Sequence, residues 1–249
     1  MFNLPEFIEL LKAVTVDCKD NGKEFTVTTR VEVIESLLKD SAYKLVAREP
    51  LSLIYAKHEL CEGESVALVS SHVDCLYENC FCSVEEAFLR GTFDNSFGNA
   101  AILWMMLHDM LPDNVVVAFT GDEERDSQGA VQTVLALGRM QCKIKFALVL
   151  EVTNVGWGRG AHFALENDNG IDLLTAYSIV ETVRLLGAEY VFEHNAEPDE
   201  SWDYSNYGIP SLTLSMPVGG NMHSNEGVLL HKEAIDTYCQ VLSLLPFLF

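Results

Sequence analysis

The 249-residue sequence has few basic side chains: 16 lysines and arginines against 37 aspartates and glutamates, a formal charge of -21. So negative a chain is repelled by phosphate backbones and by anionic membrane surfaces. It also lacks an apolar run of the ~18 residues that a membrane-spanning helix needs. We therefore expect neither a nucleic acid nor a membrane as partner.

Cysteine is also sparse, with seven residues at irregular spacings. This favours reduced thiols and a cytoplasmic location over a disulfide framework. The first 14 residues lack the positive start and long apolar core of a secretory signal. Cys75, Cys80 and Cys82 follow His72 closely, but they lack paired Cys-x2-Cys spacing, so small buried apolar residues are favoured over a structural zinc site.

No linker, repeat or low-complexity block interrupts the chain, which predicts a single domain over residues 1–249. Short apolar runs alternate with amphipathic segments from Ser65 onward, and this predicts a three-layer α/β/α sandwich with a mostly parallel mixed central sheet. Strands are predicted at Tyr43–Ala47, Leu51–Lys57, Ser65–Val69, Asn114–Thr120, Lys145–Leu150, Glu189–Phe192 and Ser211–Ser215. Helices are predicted at Pro5–Val14, Thr29–Leu38, Ser96–Leu111, Ser127–Met140, Asp172–Leu186 and Lys232–Leu245.

His72 and Asp74 follow the apolar run that begins at Ser65. In a strand, residues i and i+2 face the same way, so both side chains can serve one site. The imidazole can bind a metal while the carboxylate orients it. By itself, such a pair is more often structural than functional.

More acidic residues and a second histidine lie beside the later predicted strands. Asp94 precedes a helix, Glu123 and Glu124 follow one strand, Glu151 follows the next, and His223 lies in a glycine-rich loop after the last. Each has an ordinary structural explanation, such as a helix cap or a solvated turn. Together they would repel one another at one sheet edge unless a cation is present, and histidines with carboxylates suit zinc.

The adjacent glutamates allow two separate tasks. One can bind metal while its neighbour takes a proton from the attacking water, which is what a metal-assisted hydrolysis needs.

The order of these motifs resembles the zinc-dependent exopeptidases of the bacterial leucyl aminopeptidase, aminopeptidase Y and glutamate carboxypeptidase type, with the related glutaminyl cyclases. The resemblance covers Ser65 to the C-terminus. It is carried by His72 with Asp74, Phe93-Asp94-Asn95, Gly121-Asp122-Glu123-Glu124, Glu151, Gly208-Ile209-Pro210 and Met222-His223-Ser224.

The resemblance implies two zinc ions bridged by Asp94, and no other cofactor. His72 and Glu151 would hold one ion, and Glu124 and His223 the other. Asp74 would orient the His72 ring, and Glu123 would be the general base. The short interval between His72 and Asp94 leaves no room for an inserted domain, which favours the single-domain branch.

Three features depart from the family pattern. After the glutamate pair only Gly129 remains of a glycine-rich turn, and Glu151 stands where the single-domain aminopeptidases mostly have aspartate. The stretch from Glu200 to Tyr204 replaces the usual Ser-Asp opening, which affects the substrate pocket more than the metals.

The favoured function is a metal-dependent exopeptidase, most simply an aminopeptidase, acting on a peptide or aminoacyl substrate. The alternatives are a carboxypeptidase or N-acyl amino acid deacylase on the same site, a glutaminyl cyclase with one zinc, and a non-enzymatic binding protein on a peptidase scaffold. The complete ligand set favours hydrolysis. Some aromatic and methionine residues are candidates for an apolar substrate pocket, although such residues more often belong to the core: Trp157, Phe163, Tyr204, Tyr207 and Met222.

Overall fold

A computed structural model describes residues 2–16 and 28–248. Across these residues, eleven strands form one sheet with seven α-helices packed around it. The helices are α1 (Leu4–Val14), α2 (Thr29–Leu38), α3 (Ser96–Leu107), α4 (Gln128–Arg139), α5 (Leu173–Leu185), α6 (Glu200–Asn206) and α7 (Ala234–Leu244). The strands are β1 (Lys44–Glu49), β2 (Ser52–Ala56), β3 (Ser65–His72), β4 (Cys82–Val84), β5 (Phe88–Gly91), β6 (Val115–Thr120), β7 (Lys143–Thr153), β8 (Phe163–Glu166), β9 (Tyr190–Glu193), β10 (Ser211–Gly219) and β11 (Val228–His231).

The strand order is β1-β2-β6-β3-β7-β10-β11-β5-β4, and β8 pairs with both β10 and β9. The centre of the sheet consists of four adjacent strands that run parallel: β6, β3, β7 and β10. Antiparallel strands flank this centre, including the predicted β1–β2 hairpin. The predicted α/β fold with a parallel sheet core is therefore confirmed.

The helices cover both faces of the sheet. Alternate residues of β3 pack on opposite sides: Ala67 and Val69 join a core cluster with α1, α2, α3, α5 and α7, whereas Val66 and Leu68 join a second cluster with α4 and α6. A strand that is buried on both faces needs a nearly continuous apolar sequence, which the central strands have. The three predicted layers follow from this two-sided burial.

Helix α3 lies directly beneath the site described below. Every residue from Ser96 to Met106 is buried, and the helix packs against β3, β7, α1 and α7. Asn95 caps it by accepting a hydrogen bond from the Gly98 backbone N–H. The helix ends at Leu107, before the predicted Leu111, because Asp109 adopts a positive φ of 53°.

Three central strands are longer than the sequence predicts. β3 continues to His72, β7 to Thr153 and β10 to Gly219, and the last two remain paired as far as Pro217 with Thr153. Glu151 thus lies inside β7, opposite Ser215, and not just beyond the strand end as predicted. The sequence does not predict these longer strands, because their last residues include polar ones. Hydrogen bonding to the neighbouring strand extends a strand here, and not the hydrophobicity of its own residues.

Several short elements have no counterpart in the prediction: β4, β5, β8, β11 and α6. Each has seven residues or fewer, too short for a clear period. Within the described ranges, no helix combines the length and apolar character needed to cross a membrane.

The expectation of reduced thiols is wrong at one position, since Cys75 is disulfide-bonded. Cys80 and Cys82 are free thiols that are partly buried. The close groups of potential metal ligands found in the described part of the chain contain no cysteine, so the alternative of a structural zinc site at these thiols finds no support.

Candidate metal centre

His72 is at the centre of the site, at the last residue of β3, and is 1% exposed. Its Nε2 atom lies 3.1 Å from Asp94 Oδ1 and 3.1 Å from Glu151 Oε1. Glu123 Oε2 is 3.9 Å from the same nitrogen. The strand β3, its neighbour β7 and the loop before α3 therefore bring their polar side chains to one point.

Asp94 connects this point to a second group of residues. Its Oδ2 atom accepts a hydrogen bond from His223 Nε2 at 2.9 Å, and the same nitrogen lies 3.5 Å from Glu124 Oε2. Asp94 is 7% exposed and lies between two histidines. Its Oδ1 atom faces His72 and its Oδ2 atom faces His223. The structure thus brings together all the residues that the sequence predicts as metal ligands.

Asp74 lies beside the predicted ligands and not among them. Its Oδ1 atom is 3.3 Å from His72 Nδ1, and its Oδ2 atom accepts a hydrogen bond from the Glu124 backbone N–H at 3.2 Å. A carboxylate in this position fixes the ring of a metal-binding histidine. The second contact also holds the turn that presents Glu124.

Three further residues support the site without being predicted for that task. Asn99 Nδ2 donates to the His72 carbonyl at 2.7 Å, and Asn95 Nδ2 lies 3.4 Å from Glu151 Oε1. The fully buried Arg30 donates from Nη1 to the carbonyl of Val73 at 2.9 Å. An asparagine inside an apolar helix is the signal that the sequence offers for Asn99, since polar groups are usually buried only when they are paired. The burial of Arg30 is visible only in the structure.

Burial dominates the electrostatics of the carboxylates. It raises the pKa of Glu123 to about 9, of Glu151 to about 8 and of Glu124 to about 7, and the nearby histidines offset this only in part. Burial acts on Asp94 in the same sense, but His223 and His72 hold the pKa of that carboxyl well below its usual range. Burial thus favours the neutral form of the three glutamates, and a bound divalent cation would favour their charged form instead.

The contacts of His72 show whether these residues fit a metal. Both ring nitrogens are buried, and Nε2 lies 3.1 Å from two carboxylate oxygens at once, although a ring nitrogen carries at most one proton to donate. One Glu124 oxygen is buried and has no hydrogen-bond partner among the described residues. A nitrogen and several carboxylate oxygens that converge at such distances fit the ligand set of a divalent ion.

Three groups of ligand atoms meet this description, each with all atoms within 4.8 Å of one another. Two of them share Asp94, which matches a pair of neighbouring ions. Nitrogen and oxygen donors in this mixture suit zinc and similar divalent ions. The groups are His72 with Asp94 and Glu151, Asp94 with Glu124 and His223, and His72 with Glu123 and Glu124.

Most residues of this centre line an open cavity of about 970 Å³. Glu123, Glu124, Glu151 and His223 are among its lining residues, and so are most residues from Glu193 to Asp199.

The predicted apolar pocket is largely absent from this cavity. Of its candidates only Met222 belongs to the described lining, while Phe163 and Tyr204 are buried in the core. The cavity is instead lined mainly by acidic and other polar side chains.

Gly129 fixes the turn that carries both glutamates, because a Cβ atom there would lie 2.5 Å from the Gly121 carbonyl oxygen and 2.7 Å from that of Leu51. Backbone atoms cannot yield as a flexible side chain would. Gly129→Ala is therefore expected to lower the free energy of unfolding by about 1 to 3 kcal/mol, as overpacking does. Urea denaturation measures this.

The matched control for that substitution is Gly138 in the same helix, whose Cβ position is open to at least 4 Å. Gly138→Ala should raise the free energy of unfolding by about 0.5 to 1 kcal/mol, because alanine loses less backbone entropy. Equal effects of the two substitutions would show that Gly129 does not hold the turn.

The sequence matches no model of a protein family and no curated protein. Solved structures do share its fold. The TET1 peptidase of Pyrococcus horikoshii is 18% identical and superposes with a TM-score of 0.72, over 96% of this chain and 99% of that one. The TET aminopeptidase of Thaumarchaeota archaeon SCGC AB-539-E09 is 13% identical with a TM-score of 0.78, over 97% of each chain.

An aminopeptidase of Desulfurococcus kamchatkensis is also similar, at 14% identity and a TM-score of 0.72, over 98% of this chain and 95% of that one. At these identities the comparison establishes the fold. The chain has the α/β architecture of these peptidases over nearly its whole length.

Proposed function

We propose that this chain is a metal-dependent aminopeptidase, which releases the N-terminal residue of a peptide. The observation that carries the proposal is the convergence of five side chains, four of which line an open cavity: His72, which is buried behind it, and Asp94, Glu124, Glu151 and His223. The structural neighbours that are called aminopeptidases support the same assignment. Kinship with the leucyl aminopeptidase type in particular, and zinc as the metal, are part of the proposal.

These five residues would hold two divalent ions. Asp94 is suited to be shared, because one of its oxygens faces His72 and the other faces His223. When bound, the ions would polarise the scissile carbonyl and lower the pKa of water, so that a nucleophile forms near neutral pH. Asp74 would orient the His72 ring through its contact with Nδ1.

Glu123 is the residue that we assign as general base. Its carboxylate lines the cavity and lies 3.9 Å from His72 Nε2, next to the proposed ligands. It would accept a proton from the attacking water and then deliver it to the departing amine nitrogen, as the peptide bond breaks.

The charge of the cavity favours a free amino terminus over a carboxyl terminus as the group that binds. Besides the centre itself, the lining contains Glu166, Glu193, Glu197 and Asp199, against one arginine, Arg125. Carboxylates attract the ammonium group of an N-terminus and repel the carboxylate of a C-terminus. The carboxypeptidase alternative is therefore disfavoured.

The test uses one tripeptide in three forms: unblocked, N-acetylated and C-terminally amidated. The zinc-loaded protein should release the N-terminal residue from the unblocked and the amidated peptide, leave the acetylated one intact, and lose activity with a chelator. Mass spectrometry identifies the products. Release from the carboxyl end, or cleavage of the acetylated form alone, would contradict the proposal.

A further inference from the structure

His223 is a proposed ligand of the second ion, the one assigned to Asp94, Glu124 and His223, but its own loop gives it little support. The loop spans residues 220–227 between β10 and β11, and the His223 side chain is 45% exposed. Its φ of 65° lies in the left-handed region, which is uncommon for a residue other than glycine. Such a conformation persists only where the surrounding structure holds it. Contacts from outside the loop must therefore fix this ligand.

The 73–81 loop, between β3 and β4, provides contacts of this kind through Tyr77. This tyrosine is 1% exposed, although its neighbours Leu76 and Glu78 are exposed. Its ring lies edge-on to the ring of His223, with the two centroids 6.5 Å apart and an interplanar angle of 65°. Aromatic rings in this arrangement attract each other beyond the effect of burial, so the contact favours one orientation of the imidazole.

The hydroxyl group of Tyr77 is close to the backbone of two proposed ligands. Burial and the charge of Asp94 raise the pKa of this hydroxyl, whereas the backbone N–H groups of His223 and Asp94 act in the opposite sense. Hydrogen-bond donors act on a phenol oxygen in this way only at short range, so both N–H groups lie near it. One buried side chain thus lies beside two of the three ligands of the second ion.

A second pair of contacts joins the two loops on the exposed side. The Glu78 backbone N–H donates to Asn225 Oδ1 at 3.1 Å, and Asn225 Nδ2 donates to Glu78 Oε2 at 3.4 Å. Asn225 is only two residues beyond His223. The 220–227 loop is therefore held both at the ring of the ligand and just after it.

The 73–81 loop is itself anchored near both ends. Cys75 is disulfide-bonded. At the other end, the Phe81 backbone N–H donates to Thr92 Oγ1 at 3.0 Å, and the Thr92 backbone N–H donates to the Phe81 carbonyl at 3.0 Å. Tyr77 lies between these two anchors, so its position does not depend on the loop that it contacts.

We propose that Tyr77 is a positioning residue for the second ion, because it holds His223 and Asp94 where both can bind the metal. The inference rests on the proposed function and adds a residue that acts through two of its ligands. The first ion should depend on Tyr77 much less. Its ligands His72 and Glu151 lie on β3 and β7 and pair there with residues of β6 and β10, so the sheet itself fixes them.

The experiment follows the two ions separately. Zinc-loaded protein is dialysed against buffers of stepwise lower free zinc, and the zinc per chain is measured at each step. The wild-type protein should release its ions in two steps, and His223→Ala should lack one of them, which identifies the step of the second ion. Tyr77→Leu should weaken that step by about 10- to 100-fold, as loss of a group that orients a ligand does, and leave the other within about twofold. Tyr77→Phe keeps the ring and should bind the second zinc more tightly than Tyr77→Leu.

The matched control is Tyr43→Leu, which removes a tyrosine that is also 1% exposed but lies beside Lys57, outside the site. Both leucine variants delete a buried ring and should lower the melting temperature. Only Tyr77→Leu should weaken the second zinc. Equal weakening of both ions in Tyr77→Leu, or the same loss of the second ion in Tyr43→Leu, would show a general structural effect and overturn the inference.

Asn225→Ala tests the contact between the loops even if Tyr77→Leu does not fold. It removes both hydrogen bonds to Glu78 and should weaken the second zinc by about threefold or more. Asn221→Ala, at an exposed position of the same loop, should leave it unchanged. If the folded Tyr77 and Asn225 variants bind both ions as the wild type does, the inference fails and the proposed function stands. Wild-type protein that binds no second zinc would count against the proposed function as well.

Discussion

Glu123→Gln is expected to lower kcat by about 10²- to 10⁴-fold, the usual contribution of a general acid or base, and to leave metal content unchanged. Glutamine retains the size and the hydrogen-bonding capacity of glutamate, but it cannot accept the proton of the attacking water. The measurements are kcat on an unblocked aminoacyl amide and the metal-to-protein ratio of the same sample.

The control for Glu123→Gln is Asp126→Asn, which removes a carboxylate from the same turn at an exposed position. It should leave kcat within about twofold of wild type, as surface substitutions usually do. Full activity in Glu123→Gln would show that another group takes the proton.

Glu124→Gln is expected to have the opposite profile and to lose metal before any other property. Its carboxylate oxygen lies 3.5 Å from His223 Nε2, and its other oxygen is buried without a partner, as a ligand would be. Replacing a ligand should weaken metal binding by at least about 10²-fold, more than the loss of a supporting residue does. Metal content after dialysis measures this, and the melting temperature should fall because bound metal stabilises the folded state by mass action.

The two glutamate variants together decide which neighbour does which task. If Glu123→Gln is depleted of metal and Glu124→Gln retains metal but is inactive, the assignments are exchanged. Asp122 then becomes the candidate for a motif shifted by one residue, since it occupies the same turn with a positive φ of 67°.

The sequence was sufficient to predict the parallel sheet and the residues at its edge for one physical reason. The central strands are buried on both faces, so they appear as apolar runs, and the polar residue that ends or interrupts each run is visible by contrast. His72 after Val69 and Glu123 after Thr120 are examples. The carboxyl ends of parallel strands meet at one edge, which brought these side chains together.

Other features depend on contacts that no local pattern records. Glu151 lies inside β7 because β10 continues beside it, and Asn99 acts through the His72 carbonyl from the next helix. The other acidic lining residues of the cavity come from β8, from the end of β9 and from the loop before α6, far apart in sequence from the glutamate pair. Short strands and loop carboxylates have the same composition whether they line a cavity or face bulk solvent, so their place at the cavity becomes visible only in the structure.

The most direct test of the metal centre is the zinc content of the purified protein after loading and exhaustive dialysis. Elemental mass spectrometry should find two zinc ions per chain in the wild-type protein, and clearly fewer in Asp94→Asn, whose two oxygens face both histidines. A chelator should remove the metal and lower the melting temperature. Wild-type protein that retains no zinc, or Asp94→Asn that retains as much as wild type, would contradict the account.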